Sequence, residues 1–141
     1  MAHRMHAGGD ILLAPARFEP CGLVQMYGMR YGTLPVVRAT GGLADTVIDA
    51  TAANLEHETS TGFTFVEPTA DALVECTRRA LRTFRQPIQW RRMQARAMAR
   101  DSGWSRSAKS YHDLYRVIAQ HDDSSGGEND TTIQQPARMQ G

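Results

Sequence analysis

The chain has 141 residues, 41% of them hydrophobic, and a formal net charge of +1, which fits one globular domain or part of a larger one. The near-neutral charge gives no reason to expect a nucleic acid or an anionic membrane as a partner. No apolar run approaches the length of a transmembrane helix, and no secretory signal is visible. Two cysteines, Cys21 and Cys76, are typical of free thiols in a reducing compartment and predict a cytoplasmic protein.

The N-terminal part alternates between helix-like and strand-like segments. A helix end with a glycine exit at Gly8 precedes a short apolar run, Ile11–Ala14, which predicts a buried strand. Apolar residues at helical spacing then predict a helix from Gly22 to about Tyr31. Residues 34–37 predict a second strand. A strand, a helix and a second strand in this order predict a parallel βαβ unit.

The next segments predict one more strand and two helices. Residues 54–60 are polar and predict a surface loop, whereas residues 62–66 predict a third strand. Thr69 is expected to cap the following helix, and Pro87 opens another. The inward residues of these two helices are predicted to be Leu73, Cys76, Ala80 and Phe84 in the first, and Trp90, Met93 and Ala97 in the second.

The C-terminal part predicts a last helix and a tail. After a break at Ser102-Gly103, apolar residues recur every three or four positions from Trp104 to Ile118, which predicts an amphipathic helix with an aromatic face. That face packs either within this domain or against a partner. Residues 121–141 are polar and glycine-rich and predict a disordered tail, because they cannot bury enough apolar surface to offset the entropy of ordering. The elements therefore predict one α/β domain over residues 1–120.

The turn between the first strand and its helix contains Glu19. Pro20 biases Glu19 toward an extended conformation, so its carboxylate can point outward at the carboxyl end of the strand, where ligands bind in open α/β sheets. Gly22 lets a ligand approach the backbone, and the amides of Cys21, Gly22 and Leu23 are donors at a helix start. This pattern suits a polyhydroxylated ligand such as a sugar. The alternative is that Glu19 caps the helix and Gly22 only turns the chain.

A second glycine-containing turn, Thr40-Gly41-Gly42-Leu43, follows the second strand. Two successive glycines allow unusual backbone angles and leave amides uncovered, which is how a phosphate-binding nest is built. Alone, such a turn is usually only a turn. Because both turns would lie at the carboxyl ends of adjacent parallel strands, together they predict a site for a sugar diphosphate.

Two further patterns favour ordinary surface. His3 and His6 stand at helical spacing, but no third ligand follows, so no metal site is expected. The arginines between Arg78 and Arg106 are spread over three helices without aromatic residues on one face. Solvated helix surfaces explain them better than a nucleic-acid site does.

The residues of both turns resemble the donor site of the bacterial glycogen synthases and plant starch synthases, which are retaining glycosyltransferases that use ADP-glucose. The resemblance rests on Glu19-Pro20-Cys21-Gly22-Leu23 and on Thr-Gly-Gly-Leu-Ala-Asp-Thr-Val at 40–47, and it extends from about His3 to Ile118. It implies a partial Rossmann-like, three-layer domain with a parallel sheet. This would be the second half of the C-terminal domain of a two-domain GT-B enzyme, whose N-terminal domain has no counterpart here.

The resemblance also implies roles for individual residues. Glu19 would be the catalytic carboxylate, orienting the glucose and stabilising positive charge near its anomeric carbon. The other implied contacts are Cys21, Gly22 and Leu23 with the donor sugar, and Thr40, Gly41, Gly42 and Leu43 with the distal phosphate. Many related retaining enzymes have a second glutamate at the position of Tyr27, whereas the glycogen synthases have tyrosine there, as this chain does. Tyr27 either contacts the ribose or packs on its helix. Neither a metal nor a cofactor is expected.

The implied function is transfer of glucose from ADP-glucose to the non-reducing end of an α-1,4-glucan, with retention of configuration. In the family, an arginine and a lysine that neutralise the diphosphate lie upstream of the position of Met1, so the isolated chain is expected to be inactive. The alternatives are a non-catalytic nucleotide-sugar-binding or interaction domain derived from the family, and a retaining glycosyltransferase with another donor.

Overall fold

The computed structural model describes residues 1–125, and the chain divides into two units, Met1–Asp101 and Ser102–Gly141. In the first unit the strands are β1 (Ile11–Ala14), β2 (Leu34–Arg38) and β3 (Phe63–Phe65). Its helices are α1 (Ala2–Gly8), α2 (Leu23–Arg30), α3 (Gly41–Thr46), α4 (Ala52–Glu56), α5 (Ala70–Phe84) and α6 (Pro87–Ala99). In the second unit the described element is α7 (Trp104–Ser125).

The three strands form a parallel sheet in the order β1-β2-β3. Ile11 is in register with Leu34, and Val36 is in register with Phe63. The middle strand is buried from Leu34 to Val37, as expected of a parallel strand with helices on its faces. The predicted α/β class and parallel sheet are confirmed.

The two faces of the sheet are covered differently. Alternate residues of a strand point to opposite faces, so Val36 joins the main core while Val37 joins a smaller one. The helical side chains of the main core come from α2, α5 and α6, namely Met29, Cys76, Ala80, Trp90, Met93 and Ala97, and they pack on strand residues that include Val36 and Phe63. The smaller core contains Leu43 and Val47. Three helices therefore cover one face, and the short helix α3 covers the other.

Local signals explain where the helices of the first unit begin. The hydroxyl oxygen of Thr69 accepts a hydrogen bond from the N–H of Ala72 at 3.3 Å, so the predicted cap of α5 is confirmed. Pro87 occupies the first position of α6, where its missing N–H costs nothing. The helix α2 begins after Gly22, whose φ of 67° is left-handed and suits glycine.

The predicted loop at residues 54–60 is wrong in its first part, because α4 extends through Glu56. Thr51 caps this helix by accepting a hydrogen bond from the N–H of Asn54 at 3.1 Å, and Ala52 and Ala53 favour helix. The polar composition of the segment concealed this cap.

The helix α7 follows the predicted break at Ser102-Gly103 and continues to Ser125, so the first five residues of the predicted tail are helical. Extending an existing helix fixes only one residue for each hydrogen bond gained, which explains why a polar composition does not end it at Gln120. The rest of the predicted tail, residues 126–141, lies outside the described residues. No helix among the described residues is long and apolar enough to cross a membrane.

Candidate functional site

The two predicted site turns are in direct contact at the carboxyl ends of β1 and β2. We call residues 19–22 the Glu19 turn and residues 40–43 the diglycine turn. The N–H of Gly42 donates to the main-chain carbonyl of Glu19 at 3.1 Å. A Cβ on Gly41 would overlap that same carbonyl, and a Cβ on Gly42 would overlap the carbonyl of Cys21. Only glycine lets the two backbones approach this closely.

The Glu19 carboxylate is half-buried and lies at the start of α2. Its Oε1 accepts a hydrogen bond from the N–H of Gly22 at 3.0 Å. Within residues 1–125, no hydrogen bond to its second oxygen is found. The carboxylate therefore closes its own turn, as the helix-capping alternative predicts, and retains one oxygen for a ligand hydroxyl.

The diglycine turn differs from the open amide nest that the sequence predicts. Besides the bond from Gly42 to Glu19, the N–H of Leu43 donates to the carbonyl of Thr40 at 3.1 Å, and the N–H of Thr40 donates to the carbonyl of Arg38 at 2.9 Å. The expectation of uncovered amides is therefore wrong for these three donors. Gly42 and Leu43 are buried, and buried amides without a ligand must pair with the protein.

A hydrogen-bonded pair beneath both turns was missed in the sequence. Gln25 is fully buried, and its Nε2 donates to the hydroxyl of Thr46 at 2.7 Å. That hydroxyl donates in turn to the carbonyl of Gly42 at 2.5 Å. The buried residues of α2 are Gln25, Gly28 and Met29. Among the apolar residues at helical spacing, Leu23 and Tyr27 are exposed, whereas Met26 packs against the main core. The available signal was the spacing of Gln25 from Gly28 and Met29, which places a polar residue on the inner face.

The remaining predicted contacts lie on the exposed side of α2 and its turn. Cys21 is exposed, and Leu23 is 56% exposed. Tyr27 is 49% exposed, and its ring centroid lies 5.9 Å from that of His3 and 6.4 Å from that of His6. These histidines therefore pack against an aromatic ring, and among the described residues no group of three metal-ligating side chains is assembled. The ribose contact of Tyr27 stays a prediction.

A pocket of about 180 Å³ opens at the same edge of the sheet. It is lined by the ends of all three strands and the start of α5, including Arg17, Arg38, Phe65 and Leu73. The Arg38 guanidinium donates from Nε to the carbonyl of Val66 at 2.9 Å and from Nη1 to the carbonyl of Arg17. It thereby ties together the segments that follow β1 and β3.

Most of this chain is similar to known proteins. No family model matches the chain. Glycogen synthase 2 of Nitrosococcus oceani is 52% identical over 118 residues, which are 84% of this chain and 24% of that protein. Glycogen synthase of Burkholderia thailandensis is 54% identical over 119 residues, 84% of this chain and 22% of that protein. The chain thus spans about a quarter of the length of these relatives.

Solved structures give the same relationship. The catalytic domain of starch synthase IV from Arabidopsis thaliana, bound to ADP and acarbose, matches with a TM-score of 0.73 and 34% identity over 82% of this chain and 24% of that chain. Sucrose-phosphate synthase from Thermosynechococcus elongatus matches with a TM-score of 0.56 and 26% identity over 82% of this chain and 27% of that chain. The predicted resemblance is confirmed. Over 84% of its length this chain is homologous to glycogen synthases, and it corresponds to about a quarter of such an enzyme.

Proposed function

We propose that the Glu19 turn and the diglycine turn form the donor site of an enzyme that transfers glucose from ADP-glucose to the non-reducing end of an α-1,4-glucan, with retention of configuration. The observation that carries this proposal is the 3.1 Å hydrogen bond from Gly42 to Glu19. It joins the two turns at the carboxyl edge of a parallel sheet, where such folds bind ligands.

In this proposal Glu19 is the catalytic carboxylate. One oxygen is held by the N–H of Gly22 at 3.0 Å, which fixes the direction of the other. A fixed negative group beside the sugar orients it and stabilises the positive charge that develops at the anomeric carbon. The attacking hydroxyl would approach from the side of the departing ADP, whose phosphate takes its proton. Glu19 therefore does not act as a nucleophile.

The other proposed contacts are divided between the two turns. Backbone groups of Cys21, Gly22 and Leu23 bind hydroxyls of the donor sugar. Thr40, Gly41, Gly42 and Leu43 bind the distal phosphate, and Tyr27 contacts the ribose. Because three of the four diglycine-turn amides donate to main-chain carbonyls, phosphate binding there requires some of these bonds to be exchanged for bonds to the phosphate. ADP-glucose is the substrate, and the proposal includes neither a metal nor a cofactor.

The proposed partners are the glucan acceptor and an N-terminal domain that closes the cleft, with the cytoplasm as the compartment. The chain spans about a quarter of the length of its relatives, and the cationic residues that the family uses against the diphosphate lie outside the matched segment. We therefore expect no glucose transfer by the isolated chain.

A chimera tests the proposal. The aligned 118 residues of the glycogen synthase of Thioalkalivibrio sulfidiphilus, 53% identical to this chain, are replaced by those of this chain, and transfer of radiolabelled glucose from ADP-glucose to glycogen is measured. We expect activity, and we expect Glu19→Gln to lower kcat by about 10²- to 10³-fold. Glu75→Gln, on the exposed side of α5, is the matched control and leaves kcat unchanged. An active chimera whose kcat is insensitive to Glu19→Gln would contradict the proposal.

A second candidate is a non-catalytic domain that only binds the nucleotide sugar or a protein partner. The closed state of the diglycine-turn amides favours it, because a site that is already paired offers less to a transition state. Calorimetry with ADP-glucose and the chimera separates the two. Binding of ADP-glucose by an inactive chimera supports this second candidate.

A further inference from the structure

We propose that Gln25 and Thr46 are positioning residues that hold the Glu19 turn and the diglycine turn at a fixed separation, so that both can engage one donor molecule. The effect of this pair on catalysis rests on the proposed function, whereas its role in holding the two turns together does not. The pair joins α2 to α3, and neither side chain is among the predicted donor contacts.

Gln25 lies beneath the Glu19 turn. It is fully buried, and a Cβ on Gly22 would overlap its amide nitrogen. Gly22 itself has a φ of 67°, so both its conformation and its contact with Gln25 require glycine. The side-chain amide of Gln25 therefore packs directly beneath the Glu19 turn.

Thr46 carries the connection to the diglycine turn. Its hydroxyl has one proton, and that proton is donated to the carbonyl of Gly42 at 2.5 Å. The hydroxyl can therefore only accept from Gln25, which it does at 2.7 Å from Nε2. This proton count fixes the orientation of the Gln25 amide, with Nε2 toward Thr46 and Oε1 away from it.

Gly42 is consequently held from both sides. Its N–H donates to the carbonyl of Glu19 at 3.1 Å, and its own carbonyl accepts from Thr46. Gly42 is thus linked to the Glu19 turn in two ways, directly through the Glu19 carbonyl and indirectly through Thr46 and Gln25. Rotation of Gly42 would break the hydrogen bonds of both its N–H and its carbonyl. The two turns are therefore held in position better than by a single bond.

The arrangement is costly for stability alone. Gln25 Oε1 is buried and has no hydrogen-bond partner within the described residues, and an unpaired buried acceptor destabilises the folded state. A methionine or leucine of similar size would fill the same space without that cost. What the glutamine adds over such a residue is its hydrogen bond to Thr46.

The structural content is tested by amide hydrogen exchange, followed by NMR in the chain itself without any ligand. Thr46→Val keeps the shape but removes the hydroxyl, and Thr46→Ser keeps the hydroxyl. We expect Thr46→Val to speed exchange at Gly22 and Gly42 by about 5- to 30-fold, because the free energy of local opening falls by the contribution of one or two hydrogen bonds. Thr46→Ser should stay within about twofold of the original chain. The buried amide of Val37 in β2 serves as the internal reference.

Gln25→Met is the second variant. It should speed exchange at the same two glycines while leaving the urea midpoint of unfolding unchanged or raised, since it removes an unpaired acceptor. Exchange at Gly42 that is identical in Thr46→Val and the original chain would overturn the inference. Equal acceleration at Val37 would overturn it too, because it would show a general loss of stability.

The catalytic consequence is tested in the chimera described above. We expect Thr46→Val to raise KM for ADP-glucose by about tenfold or more and Thr46→Ser to restore it. An unchanged KM in Thr46→Val would overturn the positioning role. If the chimera carrying the original segment is inactive, the proposed function fails, while the exchange experiment still decides whether the pair fixes the two turns.

Discussion

Two polar clusters connect separate elements of the first unit: one joins α5 to β3, the other joins α2 to α3, and they are built differently. In the first, the Arg79 guanidinium makes two hydrogen bonds to the Asp49 carboxylate, at 2.6 and 3.1 Å. Asp49 also accepts from the N–H of Thr64 at 2.7 Å, and Arg79 also donates to the carbonyl of Thr64 at 3.2 Å. The second cluster is Gln25 with Thr46 and Gly42, where Gln25 Oε1 stays unpaired.

The difference indicates what each cluster is for. The first satisfies charged groups with charged and main-chain partners, and its hydrogen bond to Asp49 raises the pKa of Arg79 above its ordinary value. It fastens α5 to β3 and has no part in the proposed site. The second is neutral, lies under two glycine-rich turns and is incompletely satisfied. The hydrogen bond that Gln25 does make leads to Thr46 and from there to Gly42, so this cluster acts on the two turns.

Gly42→Ala should have the largest effect, because it attacks the turns directly. Its Cβ would overlap the carbonyl of Cys21, so the two turns must separate and the bond to Glu19 is lost. We expect the free energy of unfolding to fall by about 3 kcal/mol. Urea denaturation followed by circular dichroism measures it.

Gly8→Ala is the matched control for that change. Nothing lies within 4 Å of a Cβ on Gly8, and alanine favours helix, so stability should rise by up to about 1 kcal/mol. A loss in Gly42→Ala no larger than the change in Gly8→Ala would mean that the turns are not packed as described.

Asp49→Asn comes next and tests the fully paired cluster. It keeps an acceptor for Thr64 but removes the charge that Arg79 requires. The two side chains are 20% and 31% exposed, so the cost is that of a partly buried ion pair, about 2 kcal/mol. Because this cluster lies outside the proposed site, the exchange rate of the Gly42 amide should change only by the factor that the loss of global stability predicts. Preferential quickening at Gly42 would show that the clusters are coupled.

The local architecture was predictable from the sequence because its signals are local. The β1 run, the strand around Val36, the Thr69 cap and the Pro87 helix start each depend on a few neighbouring residues, and the structure has all of them. Helix α4 was not predicted, because its Thr51 cap stands before a segment whose composition is that of a loop.

The site was only partly predictable. Its two turns could be placed on adjacent strand ends, since parallel strands bring such turns together. The pairing of Gln25 with Thr46, 21 residues apart, and of Asp49 with Arg79, 30 residues apart, depends on packing angles that no short pattern encodes. The covering of the Gly42 amide was missed for the same reason, since its acceptor is a main-chain carbonyl of another turn.

The pH dependence of stability probes Cys76, which lies beside Arg79 in the first cluster. Burial raises the pKa of the Cys76 thiol, an effect that the Arg79 hydrogen bond partly offsets. Between about pH 8 and pH 10 the thiol ionises in the unfolded chain while the folded chain keeps its proton. The unfolded state then binds fewer protons, so the free energy of unfolding falls as pH rises. Urea midpoints across this range measure the decline. It should be smaller in Cys76→Ala and intact in Cys21→Ala, where the exposed thiol is removed.

The smallest effect is expected on the solvent side of the same helix, where Glu75 accepts from Arg82 at 3.0 Å and lies 3.7 Å from Arg78. The hydrogen bond from Arg82 lowers the pKa of Glu75, so its interactions would weaken as pH falls through that lowered value. All three side chains are more than half exposed, and water and salt screen such pairs. Glu75→Gln should therefore leave the urea midpoint unchanged in about 0.15 M salt. If instead it destabilised the chain as much as Asp49→Asn, charge count rather than burial and pairing would set the strength of these clusters, and the contrast between them would fail.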